Sequence, residues 1–308
     1  MTYKTVVKIE PLAPFDLLQS SLVFATGDRR VKSFQEGCFS QVINIEGRLV
    51  LVKLFSEGEV DKPKLSLELY SDSELSERTI YQTQEVVSQI FSLNMPLTPF
   101  YEHVKYDRVM SQITQVLRGF KFPTLPTVFE ALVYAIVEQQ ISIKVARNIE
   151  ERLAVMFGNT LNADGTVFFA FPTASALIEA GVEKIRQAGL SARKASYIHE
   201  AAQLVCNEKL SLEKLQGQPL DNIVSVLDDI RGVGVWTAEL TILRGMGRFD
   251  VLPADDFGIR RVISRYYCGG EKTISAIEAR KIAEKWGNWR GLAAFYLIAA
   301  EALNIREC

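Results

Sequence analysis

The spacing of apolar and polar positions changes near residue 100. Before it, Val42-Ile43-Asn44-Ile45 and Leu49-Val50-Leu51-Val52 flank Glu46-Gly47-Arg48, which predicts a β-hairpin. Leu65-Ser66-Leu67-Glu68-Leu69-Tyr70 alternates with period two, which predicts a strand with one face buried and the other wet. A helix over about 78–93 follows, and Pro96 and Pro99 punctuate a boundary. From Phe100 onward the pattern is almost wholly helical. Thr127 and Glu130 form a capping box opening the helix PTVFEALVYAIVEQQ, with Phe129, Leu132, Val133, Ile136 and Val137 as its apolar stripe. Gln140 falls next on that stripe; it either frays into water or faces a ligand. Ser142 caps a helix over about 143–157, and Thr173 caps a short one. Gly189 and Ser191 then make a tight interhelical turn that presents Arg193 and Lys194, as a solvated pair or as a phosphate contact. Ser275 and Glu278 form a second capping box, leading a helix to about Trp286. A helix apolar on all sides runs from Trp289 to about Leu303, expected between lobes.

The most informative stretch is Leu227 to Ile263. A helix ending near Ile230 runs into Arg231-Gly232-Val233-Gly234, and a new helix opens at Val235. Two glycines two apart let the backbone bend and approach something bulky. The amides there sit at a helix N-terminus, where unpaired N–H groups favour an anion such as phosphate. Pro253-Ala254-Asp255-Asp256-Phe257-Gly258 then sets two carboxylates at the start of another helix, whose apolar face is Ile259, Val262, Ile263 and Tyr266. Asp255 suits an N-cap, and periodicity does not decide which acid does chemistry.

These residues resemble the helix–hairpin–helix (HhH-GPD) DNA glycosylase superfamily, in its 3-methyladenine DNA glycosylase II branch. The motif is I-x-G-V-G-x-W-T-A followed about twenty residues later by L-P-x-D-D-F. The resemblance is strong from about Thr127 to Leu303. It is weak before that, where Pro14-Phe15-Asp16-Leu17-Leu18 and Gly27-Asp28-Arg29-Arg30 carry it. It implies a mainly α protein: a small α+β antiparallel-sheet domain over 1–98 and a helical region over 99–308 in two lobes. One lobe (about 120–245) holds the hairpin; the other (99–119 plus 246–308) holds the acid.

By that resemblance Asp256 is the catalytic carboxylate, opposing positive charge on a sugar that is losing its base. Trp236, Phe257, Leu240 and Ile298 match the substrate pocket. Leu240 and Ile298 replace aromatic positions, so a less aromatic pocket is expected. Gln139, Gln140, Ser191, Lys194, Gly232, Val233, Gly234, Val235 and Thr237 match DNA-contacting positions, Gln140 the one that enters the duplex. The carbonyls of Asp228, Ile230 and Val233 match those holding a structural Na+ or K+. Trp236 stands where bifunctional members carry a lysine nucleophile; packing alone could also explain a tryptophan there. The activity implied is monofunctional, hydrolytic excision of damaged bases, chiefly alkylated purines, from double-stranded DNA in base excision repair. It needs no catalytic cofactor and involves a monomer. The alternatives are a bifunctional glycosylase/lyase on oxidised purines and a non-catalytic DNA-binding module.

Composition adjusts this picture. With 308 residues and net charge −2, no whole-molecule field attracts DNA. The six arginines between Arg231 and Arg265 face four acids, so a local footprint of modest salt dependence is expected. Cys38, Cys206, Cys268 and Cys308 are scattered, which indicates neither a disulfide framework nor the iron–sulfur loop of some superfamily members. No signal-peptide pattern opens the sequence, and the longest apolar run, Gly291 to Ala300, is about half a membrane span. A soluble protein of the cytoplasm and nucleoid, or of a nucleus, is expected.

Overall fold

The computed structural model describes residues 2–305. A five-stranded antiparallel sheet, in the order β1-β5-β4-β3-β2, occupies the N-terminal part. Its strands are β1 (Tyr3–Ile9), β2 (Lys32–Gln35), β3 (Cys38–Ile45), β4 (Arg48–Ser56) and β5 (Leu65–Ser71). The expected hairpin joins β3 to β4 through Glu46 at φ 50° and Gly47 at φ 89°, the double left-handed turn that matches strand twist. One sheet face packs on α1 (Leu17–Ser21) and α2 (Glu77–Ile90), with Leu17, Val87, Ile90 and Phe91 against Phe39, Val52 and Leu67.

The other sheet face is not wet. Val42, Leu51 and Tyr70 are covered by Leu161, Ala163 and Ala170 of a second hairpin, β6 (Thr160–Ala163) with β7 (Thr166–Phe169). β5 is therefore buried on both faces, with only Glu68 partly exposed. The chain beyond Phe100 is likewise not wholly helical. The Asp164-Gly165 turn of this hairpin, at φ 50° and 81°, is a recognisable sequence signal.

The remaining elements are α3 (Thr98–Val104), α4 (Arg108–Val116), α5 (Val128–Glu138), α6 (Ile143–Phe157), α7 (Ala174–Gln187) and α8 (Ala192–Cys206). After them come α9 (Leu212–Leu215), α10 (Leu220–Asp228), α11 (Val235–Gly245), α12 (Phe257–Tyr267), α13 (Ala276–Ala283) and α14 (Arg290–Ala302). One buried cluster runs through them from Leu97 to Ala300.

Capping residues set most boundaries. Ser142, Thr173 and Ser191 each accept the third amide of their helix, and Ser275 with Glu278 closes a full capping box. α7 is longer than expected because it continues across a break at Gly181. The Thr127 box is only half formed. Thr127 accepts the Glu130 N–H at 3.0 Å, but the Glu130 carboxyl faces Lys32 at 3.9 Å in the interior. α5 is buried all round from Val128 to Val137, so its stripe was too narrow a reading.

The helical region is stitched to the sheet domain by the segment 119–125. Gly119 O accepts from Asp16 N–H, Thr124 N–H donates to Ile90 O, and Leu125 N–H donates to Arg244 O. At its centre the fully buried Lys121 ammonium donates to Leu12 O, Ser92 O and Leu93 O at 3.2, 3.0 and 3.1 Å. Cys38, Cys206 and Cys268 are free thiols; Cys308 lies outside the described residues. No helix among the described residues is long and apolar enough to cross a membrane.

Lys121→Met keeps the apolar stem and removes three hydrogen bonds, leaving Leu12 O without a donor while Ser92 O and Leu93 O keep those from Met95 N–H and Leu12 N–H. An unsatisfied buried acceptor costs about 1–3 kcal/mol, so urea unfolding of the variant should show a clearly lower midpoint. An unchanged midpoint would remove Lys121 from the interdomain account.

Candidate active site

The chain enters α12 through the buried residues Leu252, Pro253 and Ala254, and the N-cap is Asp256, not Asp255. Asp256 N–H donates to Pro253 O at 2.9 Å. That turn puts Asp255 on the outer corner, exposed, with the Arg280 guanidinium 3.7 Å away. Arg280 itself is held by Glu239 at 2.8 Å and Leu252 O at 3.1 Å. Asp256 Oδ1 accepts the Ile259 N–H at 2.9 Å, and Oδ2 accepts the Trp236 indole N–H at 3.3 Å. Two donors leave a carboxylate with further accepting capacity. The carboxylate is thus fixed in orientation at a helix N-terminus, where the macrodipole favours negative charge.

Asp256 lies on the wall of a cavity of about 590 Å³ together with Trp236, Leu240, Phe257 and Ile298. The five matched positions therefore converge. Phe257 sits at the rim, 60% exposed. The pocket is more aromatic than expected, because Phe122 and Phe295, 3.4 Å between centroids and nearly parallel, also line it. Phe122 belongs to the interdomain segment and Phe295 to the all-apolar α14. Neither position carries a local signal.

The hairpin between α10 and α11 turns at Gly232, where φ is +86° and a Cβ would lie 2.1 Å from the Tyr197 ring. Glycine is required there twice over. Gly234 differs: its backbone is ordinary extended chain, and nothing lies within 4 Å of a built Cβ. Only one of the two glycines makes the bend; the other leaves open space outside. No side chain caps α11, so its first amides keep their donors.

Gln139 ties the loop after α5 to this hairpin, donating to Gly232 O at 2.9 Å and Thr237 Oγ1 at 3.0 Å. Lys194 supports the same loop from α8, its ammonium donating to Val137 O at 2.8 Å and Gln139 O at 2.5 Å. Gln140 does not continue a helical stripe. α5 ends at Glu138, and Gln140 stands exposed at φ 56°, a strained conformation for a non-glycine residue. Ser191 and Val235 are exposed; Val233 and Thr237 are buried, so only their backbones remain available to a partner. The Asp228 and Val233 carbonyls accept no backbone hydrogen bond, and Ile230 O accepts the Val233 N–H at 2.9 Å.

Most of the local arginines are neutralised. Arg231 pairs with Glu200, Arg244 with Glu138, Arg248 with Asp250, and Arg261 and Arg265 with Glu301. The expected basic footprint is correspondingly reduced.

The cavity wall also carries an ionic cluster with little local signal in the sequence. Lys32, Tyr134, Glu138, Glu150 and Arg244 line the cavity, with the buried Glu130 beside them. Glu150 had a signal: it occupies the apolar stripe Ala146, Ile149, Leu153, Ala154 of α6.

Fold and site together define a helix–hairpin–helix protein with an acid on the wall of a cavity. The family model for the HhH-GPD superfamily base excision DNA repair protein matches residues 133–288, and the chain belongs to that superfamily. It is 26% identical over 260 residues to the DNA-3-methyladenine glycosylase of Bacillus subtilis (strain 168), covering 80% of this chain and 85% of that relative. The solved 3-methyladenine DNA glycosylase from Archaeoglobus fulgidus is similar with a TM-score of 0.86 and 28% identity, over 97% of this chain and 99% of that one. The 8-oxoguanine glycosylase/lyase of Clostridium acetobutylicum, solved with double-stranded DNA, matches with a TM-score of 0.75 over 99% of both chains; at 20% identity this is a likeness of fold alone.

Burial first, and then the Glu138 carboxylate, push Glu150 from an ordinary 4.5 up to about 8. The unfolded chain binds fewer protons than the native one between those values, so stability contributed here is full below about pH 4.5 and lost as pH rises through 8. Glu150→Gln should flatten the fall in melting temperature across that window in scanning calorimetry. An identical pH slope in both proteins would show an ordinary carboxyl.

Proposed function

We propose that the chain is a monofunctional DNA glycosylase acting, as a monomer, on damaged bases in double-stranded DNA, chiefly alkylated purines. The observation that carries this reading is the Asp256 carboxylate, clamped by Ile259 N–H and Trp236 N–H on the wall of a base-sized cavity. The names of the Bacillus and Archaeoglobus relatives support the substrate class.

The glycosidic bond is out of reach in a stacked duplex, so the damaged nucleotide swings into the cavity at a cost of a few kcal/mol. Phe257 at the rim and the Phe122–Phe295 stack offer faces to the base, and an alkylated purine cation gains cation–π attraction there. The carbon–nitrogen bond breaks and its electron pair leaves with the base. Asp256 opposes the positive charge left on the sugar, water adds to the anomeric carbon, and the water's proton passes to the carboxylate or to solvent. The uncapped start of α11 and the open side of Gly234 receive a phosphate, and Gln140 enters the gap in the duplex. A Na+ or K+ held by the carbonyls of Asp228, Ile230 and Val233 would add positive charge beside that phosphate.

The indole at 236 supports monofunctional chemistry, because it cannot form a Schiff base. The one lysine on the cavity wall among the described residues, Lys32, faces Glu130 and the rings of Phe24 and Tyr134.

Asp256→Asn should slow single-turnover release of 3-methyladenine by about a hundredfold or more while duplex binding stays close to that of the intact protein. Equal release by both proteins rejects the assignment. Borohydride added during turnover should trap no covalent DNA adduct; an adduct lost in Lys32→Gln would make the protein a lyase.

A further inference from the structure

Within the buried cluster on the cavity wall, charges can be counted. Arg244 is paired with Glu138, and Lys32 is balanced by Glu130, its ammonium also lying 5.2 Å from the Phe24 and Tyr134 ring centroids. At the edge, Arg147 donates to Thr26 and Glu151 accepts the Asp28 N–H, joining α6 to the sheet domain. Three acids, Glu130, Glu138 and Glu150, thus face two cations, and Glu130 and Glu150 each keep an Oε1 without a hydrogen-bond partner among the described residues; of these two only Glu150 lines the cavity. Glu150 is only 7% exposed. A buried acid without a matching cation is costly unless it is protonated or a ligand supplies the charge.

We propose that Glu150 determines specificity by reading the extruded base, favouring purines whose alkylation leaves a positive ring and N–H donors for a carboxylate. This rests on the glycosylase reading above and names its substrate class more narrowly.

Burial and the Glu138 carboxylate keep the proton on Glu150 up to about pH 8, so no uncompensated charge is buried. A cationic base brings the missing positive charge. Glu150 then releases its proton to solvent and accepts hydrogen bonds from the base edge, while the Phe122–Phe295 stack meets the ring face. A neutral base offers no charge to offset the ionised acid, so it gains only the stacking. The sign of discrimination follows: cationic lesions are favoured over neutral ones, and the preference depends on an ionisable group at this position.

The test compares release of 7-methylguanine and hypoxanthine from otherwise identical duplexes under single-turnover conditions. Glu150→Gln preserves shape and hydrogen bonding but cannot ionise. It is expected to lower 7-methylguanine release about tenfold or more and to leave hypoxanthine release nearly unchanged. An equal loss on both bases, or an unchanged ratio, overturns the proposal and marks the cluster as structural. A second readout does not need turnover: fluorescence anisotropy with a duplex carrying 7-methylguanine on a 2′-fluoro sugar, which resists release. The variant should lose affinity for this duplex and not for its guanine counterpart; equal affinities also overturn the proposal. If the intact protein releases neither base, the glycosylase reading fails, and the binding comparison still decides the role of Glu150.

Discussion

The site depends on the fixed orientation of one carboxylate. Asp256 caps α12 with one oxygen and accepts the Trp236 indole with the other. The two donors come from different helices, α12 and α11, so the acid's position is set by how the hairpin segment packs against the segment that follows it. Glu239 on α11 strengthens that joint by holding Arg280, which also bonds Leu252 O at the entry to α12. An exposed acid at a helix start is ordinary. One aimed into a cavity, with its rotamer locked by an indole, is preorganised for charge that develops in a transition state.

A second set of contacts couples the cavity to the outer surface. Gln139 bonds the hairpin at Gly232 and Thr237, while Lys194 bonds the carbonyls of Val137 and Gln139. The strained tip at Gln140 is therefore held from beneath by two helices. A lysine expected to face phosphate instead supports the loop on which Gln140 is displayed. The surface proposed to meet DNA is then made largely of backbone and tip residues. That agrees with a chain of nearly neutral charge whose local arginines are mostly paired.

What the sequence disclosed is what local chemistry determines. Ser142, Thr173, Ser191 and Ser275 mark helix starts because an N-cap is a contact three residues long. The ordered G-V-G-x-W and L-P-x-D-D-F segments were legible as motifs, and the pocket positions drawn from them do meet around one cavity. What stayed hidden depends on distant packing. The wet face expected for β5 is dry because a hairpin ninety-odd residues later lies across it. Asp255 looked the better cap because nothing local reveals that Asp256 N–H closes a turn onto Pro253. Phe122 and Phe295 form the aromatic wall from segments whose sequences look like plain core. Glu150 was readable in principle, as an acid on the buried stripe of α6, and its meaning emerges only once three acids are seen to face two cations on the cavity wall.

The central claim is that Asp256 stabilises positive charge on the sugar. Its most direct measurement is the affinity of a duplex in which a pyrrolidine cation replaces the deoxyribose, compared with a neutral abasic analogue, for intact protein and for Asp256→Asn. The intact protein should bind the cation far more tightly than the neutral analogue, and the substitution should erase most of that difference. A preference for the cation that survives the substitution in full would contradict the account.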